Sequence, residues 1–185
     1  MDSIVKSFPI TQEEYADLDK AFGDLCEYAA WQLIKKNSCN NHTDDQSDIA
    51  QELRFSLIHA GSYFKRQVYI EKCLNLCFKY AEDHFLKSIV DELLFLWNNK
   101  TRHGANRQKF GPHQERLLEK LTKVLVPKEE RPSKREPLSI SPEFKTYCKA
   151  ITWNRQKSIG KKYTREKCIR TGMVSLSEYD HLVTC

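Results

Sequence analysis

The sequence predicts an all-α protein, a helical bundle with no strands of consequence, and three observations lead there. Glycine is scarce, at six of 185 residues. Apolar residues recur three and four positions apart through most of the chain, the period of a helix with one buried face. Helix-start signatures precede several of these stripes, and polar or proline-rich runs separate them.

Thr11 followed by Glu14 forms a capping box, in which each side chain accepts a hydrogen bond from the other residue's backbone N–H. Tyr15, Leu18, Phe22, Leu25, Ala29 and Leu33 then line one helix face. Residues 37–47, NSCNNHTDDQS, are rich in turn formers and predict a loop. A second helix is expected to begin within residues 45–48, with Ile49, Leu53, Leu57 and Ala60 inside; Gly61 and Ser62 are expected to weaken or end it. Helical spacing resumes over 68–80 and again at Phe85, Ile89, Leu93 and Leu96. Residues 98–111, NNKTRHGANRQKFG, read as a basic loop. Pro112 suits a first helical position, with Leu117, Leu118, Leu121 and Leu125 behind it. Residues 127–137, PKEERPSKREP, read as a charged linker. Ser141, Pro142 and Glu143 supply a cap, a first-turn proline and an acid at the positive helix end. Gly160 is expected to interrupt the helix that follows, with Thr164 capping a short continuation and Ser175 with Glu178 a last capped turn.

No apolar run approaches the ~20 residues needed to cross a bilayer, so no membrane partner is expected. The N-terminus lacks the basic start and apolar run of a secretory signal, which points to a cytoplasmic protein. Seven scattered cysteines in such a chain argue against disulfides. Cys39, His42, Cys73 and Cys77 are the best metal candidates. Cys73 and Cys77 lie in the apolar pattern Ile70, Leu74, Cys77, Phe78, however, which favours small buried thiols over a zinc knuckle. His59 reads as a helix-packing residue. There is no phosphate-binding glycine loop, no zinc-protease motif and no nucleophile elbow. The reading is of a protein that is not an enzyme and needs no cofactor or metal.

Charge is segregated along the chain. The first sixty residues hold eleven acids against five bases, whereas residues 144–170 hold nine bases against one acid, Glu166. The basic segment, FKTYCKAITWNRQKSIGKKYTREKCIR, also carries Tyr147, Trp153 and Tyr163. Cations that meet phosphates, interleaved with rings that stack on bases, suit nucleic acid. Lys157, Lys161, Lys162, Arg165 and Arg170 are the phosphate candidates; Asn154 and Arg155 have side chains able to read base edges. Lys100, Arg102, His103, Arg107 and Lys109 form a second basic cluster.

Two segments resemble the second region of bacterial sigma factors, the subunits that direct RNA polymerase to promoters. One is Asp48-Ile49-Ala50-Gln51-Glu52-Leu53, continued by Leu57, Ala60 and Phe64. The other is Phe144-Lys145-Thr146-Tyr147, leading to Trp153, Asn154 and Arg155, with Val174-Ser175-Leu176-Ser177-Glu178 similar to a Ser-Leu-Asp-Glu run that follows in the family. The resemblance implies that Asp48, Gln51 and Glu52 contact the polymerase core; the residue-level alternative is a solvated acidic face near a helix start. It also implies that Tyr147 and Trp153 hold a base flipped from promoter DNA. For Phe144 and Tyr147, spacing with Ile151 offers a core role instead, which leaves Trp153 as the base-facing residue.

Three departures accompany the resemblance. About eighty residues separate segments that lie close together in the family. Ala150 and Ile151 stand where paired tryptophans are expected. The chain ends at Cys185 without a following helix-turn-helix, so the resemblance implies a reduced factor of the kind some bacteriophages carry, working with an accessory factor. The expected organisation is acidic helices over 1–64, a helical insertion and linker over 65–143, and a basic nucleic-acid-binding segment over 144–185. Rival readings are a polymerase-independent single-strand-binding protein and a structural or regulatory adaptor.

Overall fold

The computed structural model describes residues 3–36, 43–99 and 110–182; for Ser3, Val5, 43–45 and 163–182 it describes the helical backbone alone. Lys100, Arg102, His103, Arg107, Lys109, Cys39 and His42 therefore lie outside the described residues. The structure is all-α, and no strand occurs among the described residues. Its helices are α1 (Ser3–Ser7), α2 (Gln12–Lys36), α3 (Thr43–Tyr80), α4 (His84–Asn98), α5 (Pro112–Leu125) and α6 (Pro142–Leu182), with a 3-10 turn at Lys128–Glu130. They belong to two compact units, one of residues 10–61 and 138–185, the other of residues 1–9 and 62–137.

The first unit contains α2, residues 43–61 of α3, and α6. The expected capping box starts α2: the Thr11 backbone N–H donates to Glu14 Oε2 at 2.7 Å, and the Glu14 N–H donates to Thr11 Oγ1 at 3.2 Å. Glu14 Oε1 also accepts from the Leu138 N–H at 2.6 Å, which ties the approach to α6 onto the start of α2. The buried face of α2 is Leu18, Phe22, Cys26, Ala29, Ala30 and Leu33; Tyr15, expected inside, is exposed and Leu25 is half-buried. Ile49, Leu53, Leu57 and Ala60 of α3 are buried as their spacing predicts.

On α6, Ser141 Oγ accepts from the Phe144 N–H at 3.2 Å, so the serine caps the helix as expected. Phe144 is fully buried and meets Phe22 edge-to-face, with centroids 6.4 Å apart. Further along, the buried Gln156 donates its amide to the Ala29 carbonyl at 2.7 Å, and Gly160 lies against Leu33. These pairs advance together along both helices, so α2 and α6 run in the same direction. Small side chains, Cys26, Ala29 and Ala30 against Cys148, Thr152 and Gly160, permit the close approach.

Both glycines expected to break helices lie inside continuous ones. A Cβ on Gly160 would come within 2.9 Å of Leu33 Cδ1, and a Cβ on Gly61 within 2.9 Å of Ile10 Cδ1 and 3.3 Å of Leu138 Cδ2. Each glycine makes room for a neighbouring apolar chain, and that packing outweighs the ~1 kcal/mol of helix propensity that glycine forfeits. The helix backbone also runs through Thr164 and through Ser175–Glu178, where separate capped turns were expected.

The second unit packs residues 62–80 of α3 with α4 and α5. Its core is Ile70, Cys73, Leu74, Cys77, Val90, Leu93, Trp97, Leu118 and Leu121. Asp83 caps α4 by accepting from the Phe85 and Leu86 N–H groups at 2.9 and 3.0 Å. Phe85, read as part of the inner stripe, is exposed. Pro112 opens α5 as expected. Residues 127–137 are irregular, as a linker should be, yet they are tied down. Glu130 accepts from the Tyr80 hydroxyl at 2.6 Å, Lys134 pairs with Glu119 at 2.5 Å, and Glu136 pairs with Lys72. Phe8 packs edge-to-face on Tyr69 at 5.5 Å, with Lys134 over both rings.

The role of Gly160 is testable. Gly160→Leu gains ~1 kcal/mol of helix propensity but overfills the seam, at a cost of ~1–3 kcal/mol. The expected outcome is a net loss of about 1 kcal/mol in denaturant unfolding, while Ala150→Leu on the exposed side of the same helix stays within ~0.5 kcal/mol of the parent.

Candidate nucleic-acid interface

A helix lines up residues four apart along one slowly winding stripe. On α6 that stripe reads Lys145, Lys149, Trp153, Lys157, Lys161. The four lysines are exposed and Trp153 is half-buried. At ~1.5 Å rise per residue the stripe extends ~24 Å. Lys162 is exposed beside it. None of these five lysines is paired with an acid among the described residues, so their charge is offered to solvent. Lys145 and Lys149 were missed in the sequence reading, although the four-residue spacing that links them to Trp153 was visible there.

The other expected positions divide. Asn154 is exposed, and its backbone carbonyl accepts from Ser158 Oγ at 3.1 Å. Tyr147 is half-buried beside the buried Phe144, which places Phe144 in the core. Arg165 and Arg170 continue the helix, with side chains outside the described residues. Arg155 turns to the other flank of α6, where its Nη2 donates to Glu52 Oε1 at 2.6 Å. An expected DNA contact and an expected polymerase contact are thus partners of each other. The pair is about half exposed on both sides, a setting in which an ion pair contributes ~0–1 kcal/mol.

Asp48 and Gln51 are exposed on α3, and the face they occupy continues through Phe55 and His59. Phe55 is 56% exposed, a large ring left in water between an acid and an imidazole. His59, expected to pack, is exposed instead. Deeper in the same unit Arg54 donates to Asp19 at 2.7 Å and to Glu27 at 2.9 Å, so two of the acids of α2 are already matched.

A second set of exposed rings escaped the sequence reading. Tyr28 and Trp31 on α2 are 50% and 44% exposed. Their centroids are 6.0 Å apart and their planes 26° from parallel. Their spacing of three, off the buried stripe, was the available signal.

The four described thiols, Cys26, Cys73, Cys77 and Cys148, are all buried. Cys73 and Cys77 are fully buried in the second unit, with Cys77 Sγ 3.4 Å from Thr122 Oγ1. No cluster of metal-binding side chains occurs among the described residues, nor is any described helix long and apolar enough to cross a membrane. Burial pushes the Cys26 thiol up to about 11 and the Cys148 thiol up to about 12.

Comparisons with protein-family models, with curated proteins and with solved structures found no match. The resemblance to sigma factors rests on the quoted residues alone.

Two outcomes are expected. Glu52→Gln should change unfolding stability by less than ~1 kcal/mol, because the ion pair it breaks is solvent-exposed. Stability should also fall in alkali. The folded chain keeps thiol protons that the unfolded chain releases above the ordinary value of 9.0, so this contribution is complete below pH 9.0 and declines as pH rises toward about 11 to 12. Denaturant midpoints across that window, compared with those of Cys26→Ala and Cys148→Ala, measure the thiol share.

Proposed function

We propose that this chain is a reduced sigma-like transcription initiation factor. It binds DNA along α6 and the core of a bacterial-type RNA polymerase through the Asp48–Gln51–Phe55 face of α3. The observation that carries the reading is the α6 stripe, four exposed lysines around Trp153 with no acid paired to them among the described residues. Cations at that spacing hold a phosphate backbone by releasing counterions, and a ring among them can receive an unstacked base. On the α3 face, Asp48 and Gln51 supply register with an arginine-bearing partner, and Phe55 supplies the aromatic anchor that protein interfaces favour. An accessory factor would read any upstream promoter element, and the protein acts in the bacterial or phage-infected cytosol. Binding and strand opening require no catalytic group.

The test joins a pull-down with bacterial RNA polymerase core to transcription from a library of short DNA segments. Asp48→Ala, Gln51→Ala and Phe55→Ala together should reduce polymerase recovery at least about tenfold, equivalent to ~1.4 kcal/mol, with DNA binding intact. Lys149→Gln, Lys157→Gln and Lys161→Gln together should weaken DNA binding and flatten its log–log salt dependence by ~0.9 per lost contact. DNA binding without polymerase recovery would favour a polymerase-independent nucleic-acid-binding protein. Absence of both would favour an adaptor.

A further inference from the structure

We infer that Tyr28 and Trp31, on the outer face of α2, form a stacking platform for unpaired bases of single-stranded nucleic acid. The inference rests on the nucleic-acid reading of α6 and adds to it a site on a different helix.

The rings are held ready rather than left loose. Gln32 Nε2 donates to the Tyr28 hydroxyl at 2.6 Å, which fixes the tyrosine. Tyr28 and Trp31 lie nearly parallel. Lys35 Nζ sits 4.8 Å from the centroid of the Trp31 ring. A lysine over an exposed ring is weakly held, more weakly than a nucleobase stacked on such a ring. An incoming base displaces the ammonium, which is then free to meet the phosphate of the same strand. The core makes no use of these faces, since Ala29, Ala30 and Leu33 point inward between and beyond the two rings.

Along the helix axis the platform stands level with the last described lysines of α6, on the face of α2 turned away from the seam. Ala29, next to Tyr28, receives its hydrogen bond from Gln156, next to Lys157. Leu33, two residues past Trp31, lies against Gly160, next to Lys161. Lys35, Lys36, Lys157, Lys161 and Lys162 are exposed over this stretch and unpaired with acids among the described residues. The acids of this part of α2 are Glu27, already held by Arg54, and Asp24, one turn back from Tyr28. Ring faces plus lysines favour a single strand over a duplex, because only an unpaired base exposes its face.

The experiment measures binding of the full chain to a fluorescent oligothymidylate and to a duplex of equal length. Tyr28→Ala with Trp31→Ala should weaken single-strand binding about tenfold or more. Duplex binding and the thermal midpoint should stay at the parent values, and Tyr28→Phe with Trp31→Phe should restore most single-strand affinity. Lys157→Gln with Lys161→Gln should weaken both ligands together. If the alanine pair binds the single strand as the parent does, or loses both ligands equally, the platform is wrong while the α6 reading stands. If the parent binds neither ligand, the α6 reading fails and the platform falls with it.

Discussion

The close approach of α2 to α6 is the constraint on which the first unit depends. Two helices approach this tightly only where side chains are small, and the seam obliges with Cys26, Ala29 and Ala30 on one side and Cys148, Thr152 and Gly160 on the other. Register comes from a polar bond. Gln156 is buried, and its amide is satisfied by the Ala29 carbonyl. Sliding α6 by one turn would leave that amide unpaired in the core, a loss of ~1–3 kcal/mol. The hydrogen bond fixes which residues stand beside one another, and the glycine and alanines fix how near they stand.

Much of this was legible in the sequence, for local reasons. The Thr11–Glu14 box, the Ser141 cap and Pro112 are short-range signals that need no tertiary partner, and each starts a helix where expected. The Ile49, Leu53, Leu57, Ala60 stripe announces its own buried face. Gly61 and Gly160 misled because a glycine has two meanings that a sequence does not separate: a place where a helix is weak, or a place where another chain comes near. Only the positions of Ile10, Leu138 and Leu33 decide between them. Residues 127–137 posed a similar problem. Their prolines correctly predict irregular backbone, but their charges meet Lys72 and Tyr80 on α3, far away in sequence, and Glu119 on the helix just before them.

The candidate interface was half legible. Net charge along α6 is a composition fact, and the helix turns it into a stripe by periodicity alone. Arg155 shows what composition omits: its partner Glu52 is 103 residues away in sequence. Tyr28 and Trp31 were hidden differently. They sit in the acidic part of the chain, beside a strong apolar stripe, and a reading that assigns function by charge passes over them. Phe55 escaped because it lies on the face of α3 opposite its buried stripe.

The Arg155–Glu52 pair bears on how the acidic and basic faces relate within their unit. Its charges are about half exposed, so it adds little to stability and holds neither side chain firmly. A guanidinium forms stronger, bidentate bonds with phosphate or carboxylate when a better-placed partner arrives. Glu52 is likewise free to exchange one arginine for another. The pair therefore keeps two opposite charges matched in the unbound chain at small cost, while the lysines of α6, which have no such partner among the described residues, remain the standing source of positive potential. The bond that joins the flank of α6 to α3 is weak, and it is the buried seam with α2, including the Gln156 hydrogen bond, that holds α6 in place.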